Sequence, residues 1–311
     1  MRLEGVVTAA VTPLTHDGAA LASEAVFASY YRFLLQHDIS GVFIAGTTGE
    51  GMVLSLVERQ RVCELAVALI GPHKPVLVNV GSASTAEAVT LARHAAQAGA
   101  SAVAVIAPYF YPLDEAAMLA HFRAVADAVP ATPVYLYNLP AFTGNEITPA
   151  VVAQLRRACP NVAGMKHSDA SLSRLQEFRQ AGGDEFNLLS GDDSVALAAL
   201  ACGADGCVSG TASAFPETLL SIYSAFRQGD LARARRQQAL FNALSSVLEP
   251  GPGLSLTCYK AALAWRGVDV GQVRLPHRPL TPAEADTLRA GLAACREQGL
   301  PLVEPHLTPR G

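Results

Sequence analysis

The sequence predicts an α/β fold, a (β/α)8 barrel of the TIM type followed by a small helical domain, and three observations carry that prediction. Eight short apolar runs recur along the first two thirds of the chain, helix-start residues stand between them, and the pattern then changes to helices alone. A length of 311 residues fits one barrel of roughly 250 residues with an appendage.

The runs are GVVTAAV from Gly5, GVFIAG from Gly41, PVLVNVG from Pro75, AVAVIAP from Ala102, PVYLYN from Pro133, VAGMK from Val162, FNLLSG from Phe186 and DGCVSG from Asp205. They are apolar throughout and do not alternate, as parallel strands covered on both faces require. Between them, Ser55 to Glu58 and Ser84 to Glu87 read S-x-x-E, the capping box that satisfies free backbone N–H groups at a helix start. Thr148 before Pro149 marks another start, and Leu65, Leu69 and then Val89, Ala92 and Ala96 trace apolar stripes. Beyond Gly229, Leu240, Phe241, Leu244, Val247 and Leu248 form one stripe. A break at PGPG (250–253) precedes a helix through Trp265, and TPAEADTLRAGLAAC from Thr281 reads as the last. The expected division is a catalytic barrel over 1–228 and a three-helix domain over 229–311.

A formal charge of −4 with no basic run gives no electrostatic reason to expect nucleic acid or an anionic membrane as partner. No apolar stretch approaches the roughly 18 residues of a membrane span, and the chain enters a strand at once. A cytoplasmic protein acting on a small molecule is expected. The six cysteines show no C-x-x-C spacing and are expected to be reduced and structural. The eight histidines show no H-E-x-x-H or H-x-H arrangement, so no metal site is indicated.

Candidate chemistry begins with lysine. The chain has three, Lys74, Lys166 and Lys260, among 23 basic residues. Working residues of such barrels lie at the carboxyl ends of strands. Lys166 closes the sixth run, in NVAGMKHSDA, whereas Lys74 precedes the third and Lys260 falls in a C-terminal helix. The last two are expected to be solvated or salt-bridged surface. At the dry mouth of a barrel a lysine cation loses solvation, which favours the free amine that a Schiff-base nucleophile needs; the plainer alternative is an ion pair with Asp169. The second run ends in GTTGE (46–50), whose glycines and threonines offer backbone N–H groups and two hydroxyls to a carboxylate, or form an ordinary capped turn. The fifth ends in YLYNLPAFTG, where Tyr137 can pass protons or can be a packed core phenol.

Taken together, GTTGE, YNLPAFTG and GMKHSD, with LLSGDD and GADGCVSGTA, resemble in order and spacing the dihydrodipicolinate synthase and N-acetylneuraminate lyase superfamily over essentially the whole chain. The resemblance implies a class I aldolase acting on pyruvate or another 2-keto acid, with an aldehyde as second partner and no cofactor or metal. Lys166 would form the imine, Tyr137 would relay protons, and Thr47 and Thr48 would hold the keto-acid carboxylate. Gly191, Ser209 and Phe142 would border the substrate. A homotetramer built as a dimer of dimers is also implied.

Two departures bear on the substrate. Synthases of this group carry an arginine where this chain has Phe142, and that arginine clamps the incoming aldehyde's carboxylate. Their relay tyrosine, lent across a dimer interface, falls on Phe110, flanked by Tyr109 and Tyr111. Leu56 and Arg59 replace the polar and histidine residues of the synthases' lysine feedback site, so that regulation is not expected. The chain therefore looks closer to sialic acid lyases and 2-keto-3-deoxy sugar acid aldolases. Dihydrodipicolinate synthase itself, a dehydratase or hydratase-aldolase using the same imine, and a binding relative without turnover are the alternatives.

Overall fold

A computed structural model of the chain describes residues 2–300. Eight parallel strands close into a barrel in sequence order: β1 (Gly5–Ala9), β2 (Gly41–Ile44), β3 (Val76–Asn79), β4 (Ala102–Ile106), β5 (Val134–Asn138), β6 (Val162–His167), β7 (Asn187–Ser190) and β8 (Gly206–Ser209), with β8 pairing back onto β1. Each expected run contains one strand. Apart from Ala163, every strand residue is buried, which is why no polar alternation was visible.

The helices of the barrel are α1 (Glu24–Leu35), α2 (Leu56–Ile70), α3 (Thr85–Ala98), α4 (Glu115–Ala128), the single turn α5 (Pro140–Thr143), α6 (Pro149–Ala158), α7 (Leu172–Gly182), α8 (Ala196–Ala201) and α9 (Pro216–Arg227). Ser55 and Glu58 form the complete capping box of α2. At α3 half of the box forms: Ser84 accepts from Glu87 N–H, while the Glu87 carboxylate accepts instead from Ser82 Oγ at 2.7 Å. Thr148 caps α6 with Pro149 in the first turn. The buried face of α3 runs through Ala88, Leu91, Ala92 and Ala95, so the expected stripe through Val89 and Ala96 lies on its flank.

Beyond Gly229, whose φ of 75° turns the chain after α9, come α10 (Leu231–Leu248), α11 (Ser255–Trp265) and α12 (Pro282–Glu297), the last opened by a Thr281–Glu284 capping box. Leu244, Leu248, Leu256, Leu263 and Val270 belong to the same apolar cluster as Phe27 and Phe122 of the barrel helices. A second cluster, with Val7, Phe43, Leu77, Tyr135, Tyr137, Leu189 and Val208, fills the barrel itself.

Two of the three lysines are placed by this architecture. Lys74 is partly exposed, 3.6 Å from Asp38, as expected. Lys260 corrects the expectation of a surface residue. It is 2% exposed, 2.6 Å from Glu50 Oε1, and donates to the Gln272 carbonyl at 2.8 Å. The reason is that its face of α11 packs onto the turn after β2. Burial depresses the Lys260 ammonium, and Glu50 opposes that effect. Five of the six cysteines are buried and all six are free thiols; burial pushes Cys63 up to about 12 and Cys258 to about 11, which keeps them unreactive. No helix among the described residues is long and apolar enough to cross a membrane.

Candidate active site

Parallel pairing of β5 with β6 sets Tyr137 directly beside Lys166. Both point inward at the carboxyl end of the barrel, 1% and 6% exposed. The Lys166 Nζ lies 4.2 Å from the centroid of the Tyr137 ring and 4.7 Å from that of Phe43. Asp169 is not within ion-pair distance of it, and the Asp169 carboxylate accepts from the Ser171 N–H at 2.8 Å. Among the described residues Lys166 makes no ion pair within salt-bridge distance. Aromatic faces and Gly191 surround its stem instead. A Cβ at Gly191 would sit 2.7 Å from Lys166 Cε and 2.1 Å from Ser168 Oγ, so the lysine stem occupies the space that a side chain would need.

The Tyr137 hydroxyl is 3.1 Å from Thr47 Oγ1, and either can donate. Its bond is thus to the threonine turn at the mouth, which joins two of the sequence candidates. That turn is tightly built: Ala45 and Glu50 have φ of 53° and 55°, a left-handed backbone uncommon outside glycine. A Cβ on Gly51 would fall 1.9 Å from the Ala45 carbonyl oxygen. Thr12 Oγ1 donates to the Gly49 carbonyl at 2.6 Å. Glu50 is held by Lys260 and by the Arg274 N–H, which donates to its Oε2 at 2.7 Å. Strained conformers persist where the surroundings over-determine them, and four separate contacts do so here.

These residues border a cavity of about 580 Å³. Thr47, Thr48, Tyr137, Phe142, Lys166 and Gly191 line it. Ser209 does not. Val208 faces the barrel interior, so Ser209, next along a strand of period two, points to the other face. There its hydroxyl donates to Asp193 Oδ2 at 2.6 Å and accepts from the Ala212 N–H at 3.0 Å. Asp193, which lines the cavity, is raised to about 6 by burial, against the opposing effects of the Ser209 hydroxyl, the Thr211 N–H and the Lys166 charge.

Phe142, on α5, is 72% exposed at the mouth. Lys166 is the one lysine or arginine among the described residues lining the cavity, so no arginine from another loop takes up the position that Phe142 leaves apolar. Phe110 and Tyr111 are 84% and 67% exposed and pack edge to face at 4.9 Å; neither they nor Tyr109 lines the cavity. Arg59 is buried with Nη2 donating to the carbonyls of Asn79 and Gly81 at 2.8 and 3.0 Å, and burial lowers it to about 10.

Sequence reasoning missed several lining residues. Asp192 and Asp193 stand inside LLSGDD, where a carboxylate two positions after Gly191 was a readable signal. Ser245, Glu249, Ser255, Tyr259 and His277 come from the helices and loops after the barrel, and no local motif announces them.

The family model described as "Dihydrodipicolinate synthetase family" matches residues 2–295. A 4-hydroxy-tetrahydrodipicolinate synthase of Methylobacterium radiotolerans is 38% identical over 303 residues, covering 96% of this chain and 97% of the relative. Among solved structures, the sialic acid aldolase of Ruminococcus gnavus superposes with a TM-score of 0.90 at 26% identity, covering 96% of this chain and 98% of that one. YagE of E. coli K12, a prophage protein of the dihydrodipicolinic acid synthase family solved in complex with pyruvate, gives 0.89 at 28% identity, covering 94% and 98%. With a barrel, a strand-end lysine and a family match that all run through the same residues, the chain belongs to the dihydrodipicolinate synthetase family of lyases.

Proposed function

We propose that this protein is a pyruvate-dependent class I aldolase that cleaves a 2-keto-3-deoxy sugar acid through an imine on Lys166. One observation carries the reading: a buried, unpaired lysine at a strand end lies against a tyrosine whose hydroxyl bonds to Thr47 at 3.1 Å. The Lys166 amine adds to the substrate ketone, and loss of water leaves an iminium that can accept an electron pair. Thr47 and Thr48 hold the carboxylate and so fix the ketone against the amine. Removal of the C4 hydroxyl proton breaks the C3–C4 bond, releases an aldehyde and leaves an enamine. A proton returned to C3 and a water added to the iminium then release pyruvate and restore the amine. Tyr137, bonded to Thr47, is the group in reach to carry these protons.

Borohydride reduction in the presence of pyruvate should add a pyruvate-derived mass to the peptide that contains Lys166. Labelling confined to Lys74 or Lys260, or no labelling of an active preparation, would sink the imine mechanism.

A second reading, condensation of pyruvate with aspartate semialdehyde, takes its support from the relative named as a synthase. Against it stands the apolar Phe142 and a cavity wall without arginine. Charge-assisted bonds to a carboxylate contribute about 1.5 to 3 kcal/mol each, and the semialdehyde carboxylate lacks them here. Specificity constants for semialdehyde condensation and sugar-acid cleavage, taken on one preparation, should favour cleavage. A faster semialdehyde reaction would put the synthase reading in its place.

A further inference from the structure

We infer that Glu249 and Tyr259, supplied by the helices after the barrel, read the far end of the substrate: they take a hydroxyl of the leaving aldehyde and turn away a carboxylate there. The inference rests on the aldolase reading of the cavity and deepens it.

Glu249 follows the last residue of α10 and Tyr259 lies in α11; the two meet across the PGPG break, where the Tyr259 hydroxyl donates to Glu249 Oε1 at 2.7 Å. Both line the same cavity as Lys166. Tyr259 is 3% exposed and Glu249 is exposed, so the phenol forms the wall and the carboxylate reaches the open space. The phenol oxygen also approaches the carboxylate receptor. A Cβ built on Gly210 would lie 3.4 Å from Tyr259 Oη and 3.1 Å from Thr48 Oγ1, so both hydroxyls converge above that glycine.

The hydrogen-bonding capacity left over has one sign. The Tyr259 proton is committed to Glu249, and the phenol oxygen, which the Thr211 side chain also meets, can otherwise only accept. Glu249 Oε2 has no protein partner among the described residues, and an ionised carboxylate is acceptor only. Glu50, the carboxylate of the receptor turn, is already paired with Lys260, and Asp193, the carboxylate that acts on Tyr259 and Glu249, is bonded to the Ser209 hydroxyl. A ligand group that meets Glu249 and Tyr259 must therefore donate. The hydroxyls of a polyol tail do so, whereas a tail carboxylate would set like charges together, since Lys166, committed to the imine, is the one lysine or arginine among the described residues lining the cavity and His277 is the one histidine there. Phe142, which also lines the cavity, supplies no counter-charge. Specificity at this end is thus built from repulsion as well as attraction, and by residues outside the barrel.

The test uses the full chain and two probes, 2-keto-3-deoxygluconate for cleavage and aspartate semialdehyde with pyruvate for condensation. Glu249→Gln keeps the shape and removes the charge. It should lower kcat/KM for the sugar acid by about 10-fold, the scale of one charge-assisted hydrogen bond, chiefly through KM. The semialdehyde reaction should hold or rise, so that the ratio of the two specificity constants shifts about 10-fold or more toward the carboxylate-bearing aldehyde. Tyr259→Phe, which frees Glu249 Oε1, should weaken the sugar acid without that gain. An unchanged ratio in Glu249→Gln, or equal losses on both substrates, would overturn the assignment, the second by showing a merely structural role. Failure of the aldolase reading is separately visible, because the unaltered protein would then neither trap pyruvate on Lys166 nor release it from the sugar acid.

Discussion

The two halves of the cavity are built on different principles. The inner half, with Lys166, Tyr137 and Thr47, stands on strand ends whose positions are set by backbone pairing, so that β5 and β6 deliver phenol and amine side by side. The outer half, with Glu249, Tyr259, Ser255 and His277, stands on α11, on the end of α10 and on the loops beside them. Strand register tolerates little change, since a shift of one residue turns every side chain to the other face. Helix ends joined by loops such as PGPG can vary in length and sequence without disturbing the barrel. On the proposed reading, the division puts the imine chemistry where the fold is stiff and the choice of aldehyde where it is adjustable.

The largest effect expected comes from the joint between the halves. Lys260→Met leaves Glu50 buried without its counter-ion, and loss of one partner of a buried pair costs about 3 to 5 kcal/mol. Denaturant unfolding should show that loss, and Glu50→Gln combined with Lys260→Met should recover most of it. A single variant within about 1 kcal/mol of the parent would mean that the two halves stand independently. Next in size is Tyr137→Phe, which keeps the ring against Lys166 and removes the proton carrier. Turnover should fall by roughly 100-fold or more, the scale of general acid–base catalysis, while pyruvate still binds. An unchanged rate would move the proton work out of the strand-borne half altogether.

Much of this was legible in the sequence. Eight apolar runs named eight strands because burial on both faces leaves no other pattern, and a strand-end rule was enough to separate Lys166 from Lys74. Lys260 was misplaced for a reason of principle. A helical stripe tells which residues share a face, but not what the face packs on, and the turn carrying Glu50 lies 210 positions earlier in the chain. Ser209 shows the opposite limit. Its motif pointed to the mouth, yet Val208 had already taken the inward position, and the hydroxyl went to Asp193. Glu249 and Tyr259 left no trace because their meeting depends on two helices folding over a break, a long-range event that local spacing does not record.

The ties on Glu50 also have a consequence for synthesis. The last barrel strand ends at Ser209, but Lys260 and the Arg274 N–H, which hold the threonine turn through Glu50, emerge from the ribosome only afterwards. A nascent chain that has made all eight strands thus still lacks two of the contacts that hold the turn, whereas those from Thr12 and Tyr137 lie within the barrel sequence itself. On the proposed reading the keto-acid site is completed last, and a product truncated before α11 would carry Lys166 beside a turn that has lost its hold on Glu50.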